Sequence, residues 1–430
     1  MQAFVAFSFF LLLIPSAFST NVEEEEESHC VHRAILITGA AGFIGFHTSL
    51  ALHARGDNVV GLDNMNPYYD VRLKRARSAM LRVKGIEVVN GDVCDAPLLA
   101  QLFAKHRFTH VVHLAAQAGV RYSLDHPQEY VRANVQCFVA LLETLRHHAR
   151  ETTLVYASSS SVYGLNTKPV VEIETTIPQH RDNLIYNLSA AYNLSAAFPR
   201  LQLQRTARML IHCCSGCSAL PSTRHDDRYP FSEADRVDTP ASLYAATKKE
   251  NELLAHVYHN LYKVRSTGLR FFTVYGPWGR PDMAYFSFAE RIVDGRPITV
   301  FNHGKMGRDF TYIDDIVAGV VGSVDLGAEL EVFNLGGDEP VELMRFIHAL
   351  EAALGAKARM EFAPMAKGDV LRTAADVSKA RNLLGYDPRT PVEEGLRKFA
   401  RWFKKFKAGE YDDVLNAPLP PVTKGVEGNA

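Results

Sequence analysis

Residues 35–45 read ILITGAAGFIG, an apolar run followed by Gly39, Gly42 and Gly45. The apolar run predicts a buried strand, and the glycines predict a tight turn into a helix. The first glycine permits the turn, the second lets backbone N–H groups approach a pyrophosphate, and the third lets the helix pack closely on the strand. The spacing differs from the G-x-G-x-x-G of many dinucleotide-binding turns. The segment still predicts a dinucleotide site where a strand passes into a helix.

Strand-like segments alternate with helix-like segments after this turn. The predicted strands are 34–38, 58–62, 86–90, 110–114, 153–157 and 268–274. Segments such as 48–55 and 128–150 are long enough to be crossover helices. This alternation is typical of a parallel sheet covered by helices on both faces. The sequence therefore predicts the α/β fold class, with a doubly wound, Rossmann-like parallel sheet.

Asp63 follows Gly45 by eighteen residues and ends the second predicted strand. A carboxylate at that place accepts hydrogen bonds from the ribose hydroxyls of a bound dinucleotide and repels a 2′-phosphate. The sequence therefore favours NAD over NADP as the cofactor.

The predicted domain boundaries follow from where the alternation of strands and helices begins and where it ends. We assign residues 32–277 to an NAD-binding Rossmann domain and 278–408 to a smaller C-terminal α/β substrate domain, because the chain beyond residue 278 becomes rich in Gly, Pro and Asp. Residues 1–28 are predicted to be a hydrophobic signal or anchor with an acidic linker. Residues 409–430 are predicted to be a flexible tail.

The composition excludes several classes of function. Lys and Arg number 47 against 48 for Asp and Glu, so no global field attracts nucleic acid, and none is expected as a partner. Six scattered cysteines in 430 residues do not make a disulfide framework, and we expect the catalytic core to need none. The run HCCSGC at residues 212–217 lacks a second ligand pair, so no metal is expected.

The N-terminal residues 1–20 read MQAFVAFSFFLLLIPSAFST. The apolar run is short for a membrane span and has no preceding Lys or Arg, so a cleaved signal peptide and a short membrane anchor both fit. A buried core helix fits less well, because five glutamates at residues 23–27 follow at once and like charges in a row stay solvated.

Three residues are candidates for catalysis. Tyr244 and Lys248 lie four apart, which places them on one face of a helix. An ordinary tyrosine, with a pKa near 10, is a poor base, and we expect the lysine and a cationic nicotinamide to lower that pKa. Ser159 belongs to the hydroxyl-rich run SSSSVYG at residues 158–164, which follows the fifth predicted strand and should border the ligand cleft.

Several ordered segments carry a family resemblance. They are LDNMNPYYD (62–70), THVVHLAAQAGVRYS (109–123), SSSSVYGLNTK (158–168), PASLYAATKK (240–249), GLRFFTVYGPWGRPDMA (268–284), RDFTYIDDI (308–316) and FNLGG (333–337). With them the chain resembles the extended short-chain dehydrogenase/reductases, and most of all the plant-type UDP-glucuronate 4-epimerases. The resemblance covers residues 33–168 and 230–405.

This resemblance implies roles for individual residues. Ser159, Tyr244 and Lys248 take the catalytic positions. The implied NAD contacts are Gly39, Gly42, Phe43, Ile44, Gly45, Asp63, Asn64, Asp92, Val93, Leu114, Ala115, Ala116, Asn134 and Phe272. In the UDP-sugar site, Arg280 and Arg308 are expected at the UDP moiety and Asp369 near its ribose. Ser159, Ser160 and Thr273 are expected at the uronate carboxylate, with Arg121 also in the cleft.

The reaction implied is 4-epimerisation of UDP-glucuronate to UDP-galacturonate through a 4-keto sugar. The same intermediate could lose water or carbon dioxide. By resemblance, the residues after the catalytic Ser or Thr are Asp-Glu in dehydratases and Glu in UDP-glucuronate decarboxylases. Ser160 and Ser161 stand there instead, which favours epimerisation. A UDP-glucose/galactose 4-epimerase is the alternative. The resemblance further implies a homodimer built from two helices of each subunit, and a location in the secretory pathway at the Golgi membrane. The alternatives are a cleaved signal peptide and a cytoplasmic location.

Residues 169–229 match nothing in the family. Without them, the separation of Ser159 and Tyr244 falls from 85 to 24 positions, close to the family's spacing. The segment contains two glycosylation sequons, at Asn187 and Asn193. It is either a translated intron or gene-model error, or a genuine surface insertion. Because it enters a loop beside the sugar site, the chain could alternatively be an NAD-binding homologue without activity.

Overall fold

The structure, a computed structural model, describes residues 33–164, 230–365 and 370–425. The predicted N-terminal segment 1–28, the atypical segment 169–229 and Asp369 lie outside these residues.

The central sheet has seven parallel strands in the order β11-β6-β5-β4-β1-β2-β3. These are β1 (Ala34–Thr38), β2 (Asn58–Asp63), β3 (Glu87–Asn90), β4 (His110–His113), β5 (Thr153–Ser159), β6 (Ser266–Phe271) and β11 (Leu330–Leu335). The order reverses between β1 and β4, which is where doubly wound folds bind ligands. The predicted fold class and the first five predicted strands are confirmed.

The sixth predicted strand, 268–274, is divided in the structure. It forms β6 and then β7 (Thr273–Tyr275), which leaves the main sheet to pair with β10 (Phe310–Tyr312). The seventh strand, β11, was not predicted. It arises within the segment we assigned to the substrate domain and pairs with β6, so the main sheet crosses the predicted boundary at residue 278.

Two further small sheets and the helices complete the described chain. One sheet pairs β8 (Ile298–Phe301) with β13 (Met360–Ala363), and the other pairs β9 (Gly307–Arg308) with β12 (Val341–Glu342). The helices are α1 (Phe43–Ala54), α2 (Val71–Val83), α3 (Ala96–His106), α4 (Tyr122–Asp125), α5 (Pro127–Tyr130), α6 (Cys137–His148), α7 (Leu243–Tyr262), α8 (Ala284–Val293), α9 (Ile313–Leu326), α10 (Leu343–Leu354), α11 (Ser378–Leu384), α12 (Val392–Lys407) and α13 (Asp412–Leu415). A π-helical turn (Val131–Gln136) precedes α6, and a 3₁₀ turn (Ser160–Tyr163) follows β5.

Apolar cores lie on both faces of the main sheet. In the central strand β1, Ile35 and Ile37 belong to one core and Leu36 to the other, because successive side chains of a strand point to opposite faces. The first core contains residues of α1, α2 and α9, and the second contains residues of α3, α6 and α7. The near-continuous apolar sequence of β1 follows from this two-sided burial.

The chain segments that flank residues 169–229 meet in the structure. The ring of Tyr163 stacks on the ring of Phe231 at a centroid distance of 4.6 Å and an interplanar angle of 4°. Nearby, a Cβ added to Gly164 would lie 2.1 Å from the carbonyl oxygen of Thr239. The described residues before and after the long segment therefore lie beside one another.

The predicted tail contains hydrogen-bonded structure as far as residue 425. After α13, the chain runs along the edge strand β3, where Asn90 forms a bridge with Val422. The Asn90 side-chain amide donates to the Pro420 carbonyl at 2.8 Å, and the Thr423 amide donates to the Asn90 carbonyl at 2.8 Å. This segment thus covers an edge of the sheet that would otherwise offer unpaired backbone groups. Of the helices in the described part of the chain, none has the length and apolarity needed to cross a bilayer.

Candidate active site

A large cavity of about 1120 Å³ lies at the carboxyl ends of the parallel strands. Residues that follow β1, β2, β4, β5 and β6 contribute to its wall. A cavity at this end of a doubly wound sheet is where the topology places a ligand.

The glycine turn at one end of the cavity has no room for side chains. Gly39 has a φ of +72°, and a Cβ there would lie 2.7 Å from the Ala115 amide nitrogen. A Cβ on Gly45 would lie 2.1 Å from the Gly39 carbonyl oxygen. The backbone therefore approaches itself closely around the N-terminus of α1, and the amide groups of a helix N-terminus are suited to bind an anionic group. These features fit the pyrophosphate of NAD.

The predicted NAD contacts line this cavity with one exception. Those lining it are Gly39, Gly42, Phe43, Ile44, Gly45, Asp63, Asn64, Asp92, Val93, Leu114, Ala115, Ala116 and Phe272. Asn134 is not among the described residues of the wall. Its side-chain oxygen accepts a hydrogen bond from the Gln117 amide at 2.8 Å. Its side-chain nitrogen donates to the Gln117 carbonyl at 3.0 Å and to the Thr247 hydroxyl at 3.0 Å. Asn134 therefore supports the wall from behind.

Asp63 lies at the end of β2 with several hydrogen bonds already made. Its carboxylate accepts from the amides of Ala41 and Met65, at 3.1 and 2.9 Å. It also pairs with the Lys74 ammonium at 3.4 Å. Lys74 lines the cavity and is a site residue that our sequence reasoning missed; the only signal was its position in α2, directly after the Asp63 segment.

Ser159, Tyr244 and Lys248 come together in the cavity wall. Ser159 ends β5, whereas Tyr244 and Lys248 lie one turn apart on α7, as the spacing predicts. The Ser242 hydroxyl caps this helix by accepting from the Ala245 amide at 3.2 Å. The Lys248 ammonium is buried and donates to the Ala157 carbonyl at 2.7 Å, which fixes the lysine between α7 and the end of β5.

The pKa values of Tyr244 and Lys248 differ from our expectation that the lysine lowers the pKa of the tyrosine. Burial raises the pKa of Tyr244, whereas its hydrogen bond with Ser159 and the charge of Arg280 act to lower it. Burial also lowers the pKa of Lys248 to about 8, because a low-dielectric environment disfavours the ammonium. In the protein alone, Ser159 and Arg280 rather than the lysine favour the phenolate.

A buried polar network lies beneath the catalytic strand end. Glu252 of α7 accepts two hydrogen bonds from Arg270, both at 2.8 Å, and one from the Ser158 hydroxyl at 2.7 Å. Arg270 also donates to the Tyr163 hydroxyl at 3.0 Å, which in turn donates to Asn334 at 2.7 Å. The network thereby joins α7 to β5, β6 and β11. No sequence motif had identified it.

The predicted substrate residues all line the cavity; they are Arg121, Ser160, Thr273, Arg280 and Arg308. Asp369 lies outside the described residues. The Arg280 guanidinium pairs with Asp282 and lies 5.8 Å from the centroid of the Tyr68 ring. The Arg121 guanidinium lies 4.8 Å from the centroid of the Phe301 ring. Aromatic rings thus hold two of the three arginines beside the cavity.

The charge of the described wall favours an anionic ligand. It contains seven cationic side chains, at Lys74, Arg121, Arg132, Lys248, Arg280, Arg291 and Arg308, against four carboxylates, at Asp63, Asp92, Asp125 and Asp282. A diphosphate needs such cations, since the chain as a whole has almost no net charge.

A disulfide joins Cys94 to Cys137 beside the cavity. We expected the catalytic core to need no disulfide, and the sequence did not predict this one. The spacing could not reveal the bond, because Cys94 follows β3 whereas Cys137 begins α6, 43 positions later. Asp92 is close enough to complete a set of three metal-binding groups with these cysteines, but both sulfurs are engaged in the bond. The HCCSGC run lies outside the described residues.

Comparisons with known proteins agree with this geometry. Residues 36–183 match the GDP-mannose 4,6 dehydratase family model, and residues 184–336 match the NAD dependent epimerase/dehydratase family model. UDP-glucuronate 4-epimerase 1 of Arabidopsis thaliana is 45% identical over 397 residues, which cover 87% of this chain and 79% of the relative. This chain belongs to the UDP-glucuronate 4-epimerase family. That family lies within the extended short-chain dehydrogenase/reductases, as the motifs indicated.

Solved structures of epimerases share its fold. The UDP-glucuronic acid 4-epimerase of Bacillus cereus, in complex with UDP-glucuronic acid and NAD, superposes with a TM-score of 0.69 at 30% identity. The alignment covers 87% of this chain and 99% of that one. A Thermotoga maritima UDP-glucose 4-epimerase with UDP-glucose gives a TM-score of 0.66 at 25% identity, with the same coverage. NAD as the cofactor and an epimerase as the class of enzyme are confirmed.

Proposed function

We propose that this chain interconverts UDP-glucuronate and UDP-galacturonate by NAD-dependent inversion at C4. The observation that carries the proposal is the convergence of Ser159, Tyr244 and Lys248 in one cavity that the glycine turn also lines. The relatives and the Bacillus cereus structure named for this reaction support the choice of substrate.

The chain's residues act on the proton of the 4-hydroxyl group. The Tyr244 phenolate accepts this proton and later returns it, while Ser159, hydrogen-bonded to Tyr244, favours the phenolate. Lys248, held by Ala157, supplies a positive charge on the same helix face. NAD held at the glycine turn would supply a reversible hydride acceptor for C4.

Side chains around the sugar favour epimerisation of the keto sugar over its other fates. The 4-keto uronate is a β-keto acid, and an acid next to C5 would assist its loss of carbon dioxide by protonating C5. Ser160 and Ser161 follow Ser159 and line the cavity, and neither is an effective acid or base at neutral pH. The keto sugar is therefore expected to turn in the site and accept hydride on its second face.

The substrate's negative groups match the polar side chains of the cavity wall. Arg280 and Arg308 suit the diphosphate, since guanidinium groups bind phosphate oxygens in pairs. We assign the uronate carboxylate to the hydroxyl groups of Ser159, Ser160 and Thr273. Hydroxyl donors can bind a carboxylate without introducing a charge that would alter the nearby Tyr244 phenol.

The test is a turnover assay with purified full-length protein. We expect UDP-glucuronate to yield UDP-galacturonate, detected by ion-exchange chromatography, and Tyr244→Phe to abolish this product. Tyr262→Phe, at the far end of the same helix, is the matched control and should leave the rate unchanged. Conversion of UDP-glucose to UDP-galactose without turnover of UDP-glucuronate would show instead that the chain is a UDP-glucose/galactose 4-epimerase.

Residues 169–229 are expected to be compatible with this activity. The supporting observation is the Tyr163–Phe231 stack, which brings the flanking segments together. The entropic cost of closing a loop grows only slowly with its length, so long surface insertions are tolerated. The assay should therefore be run on the full chain and on a version lacking residues 169–229. If only the shortened version turns over, the full chain is an NAD-binding protein without activity.

We propose that the chain forms a homodimer through α6 and α7. On α7, the side chains of Leu253, Val257 and Leu261 are 54, 45 and 65% exposed and are spaced four residues apart. An apolar stripe at this spacing suits helix packing across a two-fold axis. Leu261→Glu should halve the mass measured by light scattering. Leu383→Glu, which changes a leucine 50% exposed on α11, should not.

We propose a location in the secretory pathway, at the Golgi membrane, directed by residues 1–28. The Cys94–Cys137 disulfide supports this location, because such bonds persist in oxidising compartments. A fluorescent fusion of the full chain should sediment with membranes, and a fusion lacking residues 1–28 should be soluble. A cleaved signal peptide would instead give a shortened, soluble chain inside vesicles.

A further inference from the structure

We propose that Cys94 and Cys137 form a reversible thiol–disulfide site whose redox state sets the affinity of the cavity for NAD. The reactants are low-molecular-weight thiols or dithiols and their disulfides. The proposal rests on NAD occupying this cavity with its adenosine at the end formed by Asp63 and Asp92.

The bond is built into the wall of the cavity. It links the loop after β3 to the first residue of α6, with a Cα–Cα distance of 4.3 Å. Asp92 lies beside it: one carboxylate oxygen accepts from the Cys94 amide at 2.9 Å, and the other accepts from Arg132 at 2.9 Å. Asp92, Arg132 and Cys137 all line the cavity. A change at the bond therefore changes the surface that the adenosine contacts.

Only one of the two sulfurs is positioned for attack from outside. Cys137 is 4% exposed, whereas Cys94 is partly exposed and lies outside the described wall of the cavity. A thiolate attacks the Cys94 sulfur, the S–S bond breaks, and the electron pair goes to Cys137, which takes up a proton. A second thiol then attacks the mixed disulfide and frees Cys94. Two thiols are thereby oxidised to one disulfide, and the reverse exchange restores the protein bond.

The two redox states present different surfaces to the adenosine. In the oxidised state, a covalent link holds the Asp92 loop against α6. In the disulfide-bonded structure the Cys137 sulfur lies 3.7 Å from an Asp92 oxygen. Reduction would give this sulfur a proton that it could donate to Asp92, which a disulfide cannot do. That thiol competes for a carboxylate that the adenosine would otherwise use, and the loop loses its covalent restraint. Both effects weaken NAD binding in the reduced state.

The link also ends next to the catalytic helix. Cys137 follows the π-helical turn that carries Asn134, and Asn134 bonds Thr247, the neighbour of Lys248. Turns of this type often accompany functional sites because they displace side chains from a regular helix. The disulfide is thus connected to α7 through the π-helical turn and the Asn134–Thr247 hydrogen bond.

The test compares NAD binding by full-length protein equilibrated with oxidised or reduced glutathione. Alkylation followed by tryptic mapping reports the state of the pair, because Cys94 and Cys137 are the only cysteines of the peptides 85–105 and 133–146. We expect the dissociation constant from calorimetry to rise about tenfold on reduction, a typical coupling between linked sites. By reciprocity, saturating NAD should make the midpoint potential of the pair more negative by about 30 mV.

Variants make the test specific. Cys94→Ser should bind NAD with the weaker constant in both glutathione buffers, whereas Cys30→Ser should keep the full redox response. Equal dissociation constants in the two states, with an unshifted potential, would overturn the proposal even if Cys94→Ser fails to fold. Absence of NAD binding in both states would instead refute the assignment of the cavity as the NAD site.

Discussion

Replacing Glu252 with glutamine should destabilise the fold by about 3–5 kcal/mol, the usual cost of breaking a buried ion pair. Glu252 and Arg270 have side chains only 6 and 5% exposed and share two hydrogen bonds of 2.8 Å. The Arg270 guanidinium keeps its charge in the variant, because its pKa is far above neutral. A buried cation is then left without a counter-ion, and the Ser158 hydroxyl loses a charged acceptor.

The assay is urea unfolding followed by circular dichroism, with Glu250→Gln as the matched control. Glu250 lies on the same helix but is exposed, so its loss should change the free energy of unfolding by less than about 0.5 kcal/mol. The double variant Glu252→Leu/Arg270→Met should be more stable than Glu252→Gln, because it removes both charges. The reasoning is refuted if the Glu252→Gln and Glu250→Gln curves coincide.

Three further predictions concern catalysis, pH and the glycine turn. Tyr244→Phe should lower kcat by about 10² to 10⁴ while the calorimetric constant for NAD stays unchanged; a loss below tenfold would contradict the role of this phenol. Burial raises the pKa of Asp309 from 3.8 to about 6, so the folded state holds this proton more tightly than the unfolded state. The free energy of unfolding should therefore fall by about 3 kcal/mol as pH rises from about 4 to 6. Asp309→Asn should remove this dependence on pH. Urea titrations that give the same dependence for both proteins would exclude the role of Asp309. Gly45→Ala should abolish NAD binding without loss of helical signal, because its Cβ would lie 2.1 Å from the Gly39 oxygen; normal calorimetric binding by this variant would show that the turn can adjust.

The interior of the sheet was predictable because its strands are apolar and end at turn residues. β1 matches its predicted bounds, and β2 to β5 differ by one or two residues at their ends. β11 escaped prediction because it is an edge strand whose first three residues are only half-buried, so its apolar signal is weak. The break at Phe272 could not be read from residues 268–274, because neither Gly nor Pro stands next to Phe272 to mark it. It results from the pairing of Thr273–Tyr275 with a strand that comes later in the chain.

The candidate site was predictable wherever its residues belong to local motifs. The glycine turn and the Tyr244–Lys248 pair are each encoded within a few positions. Contacts between different elements left no such signal. Lys74, which reaches Asp63 from α2, was not predicted, and Asn134 was predicted as an NAD contact although its side chain bonds Thr247 across 113 positions. The pKa of Tyr244 was likewise beyond the sequence, because burial depends on the assembled fold.

The pairing of Asn90 with residues 420–423 has a consequence for synthesis of the protein. The Asn90 side chain and the Pro420 carbonyl are separated by 330 positions, which take roughly 20 to 60 s to translate at about 5–20 residues per second. During that interval a nascent chain that has formed β3 carries an open strand edge able to recruit a neighbour on the same polysome. Chaperone protection of the growing chain would matter most in this window.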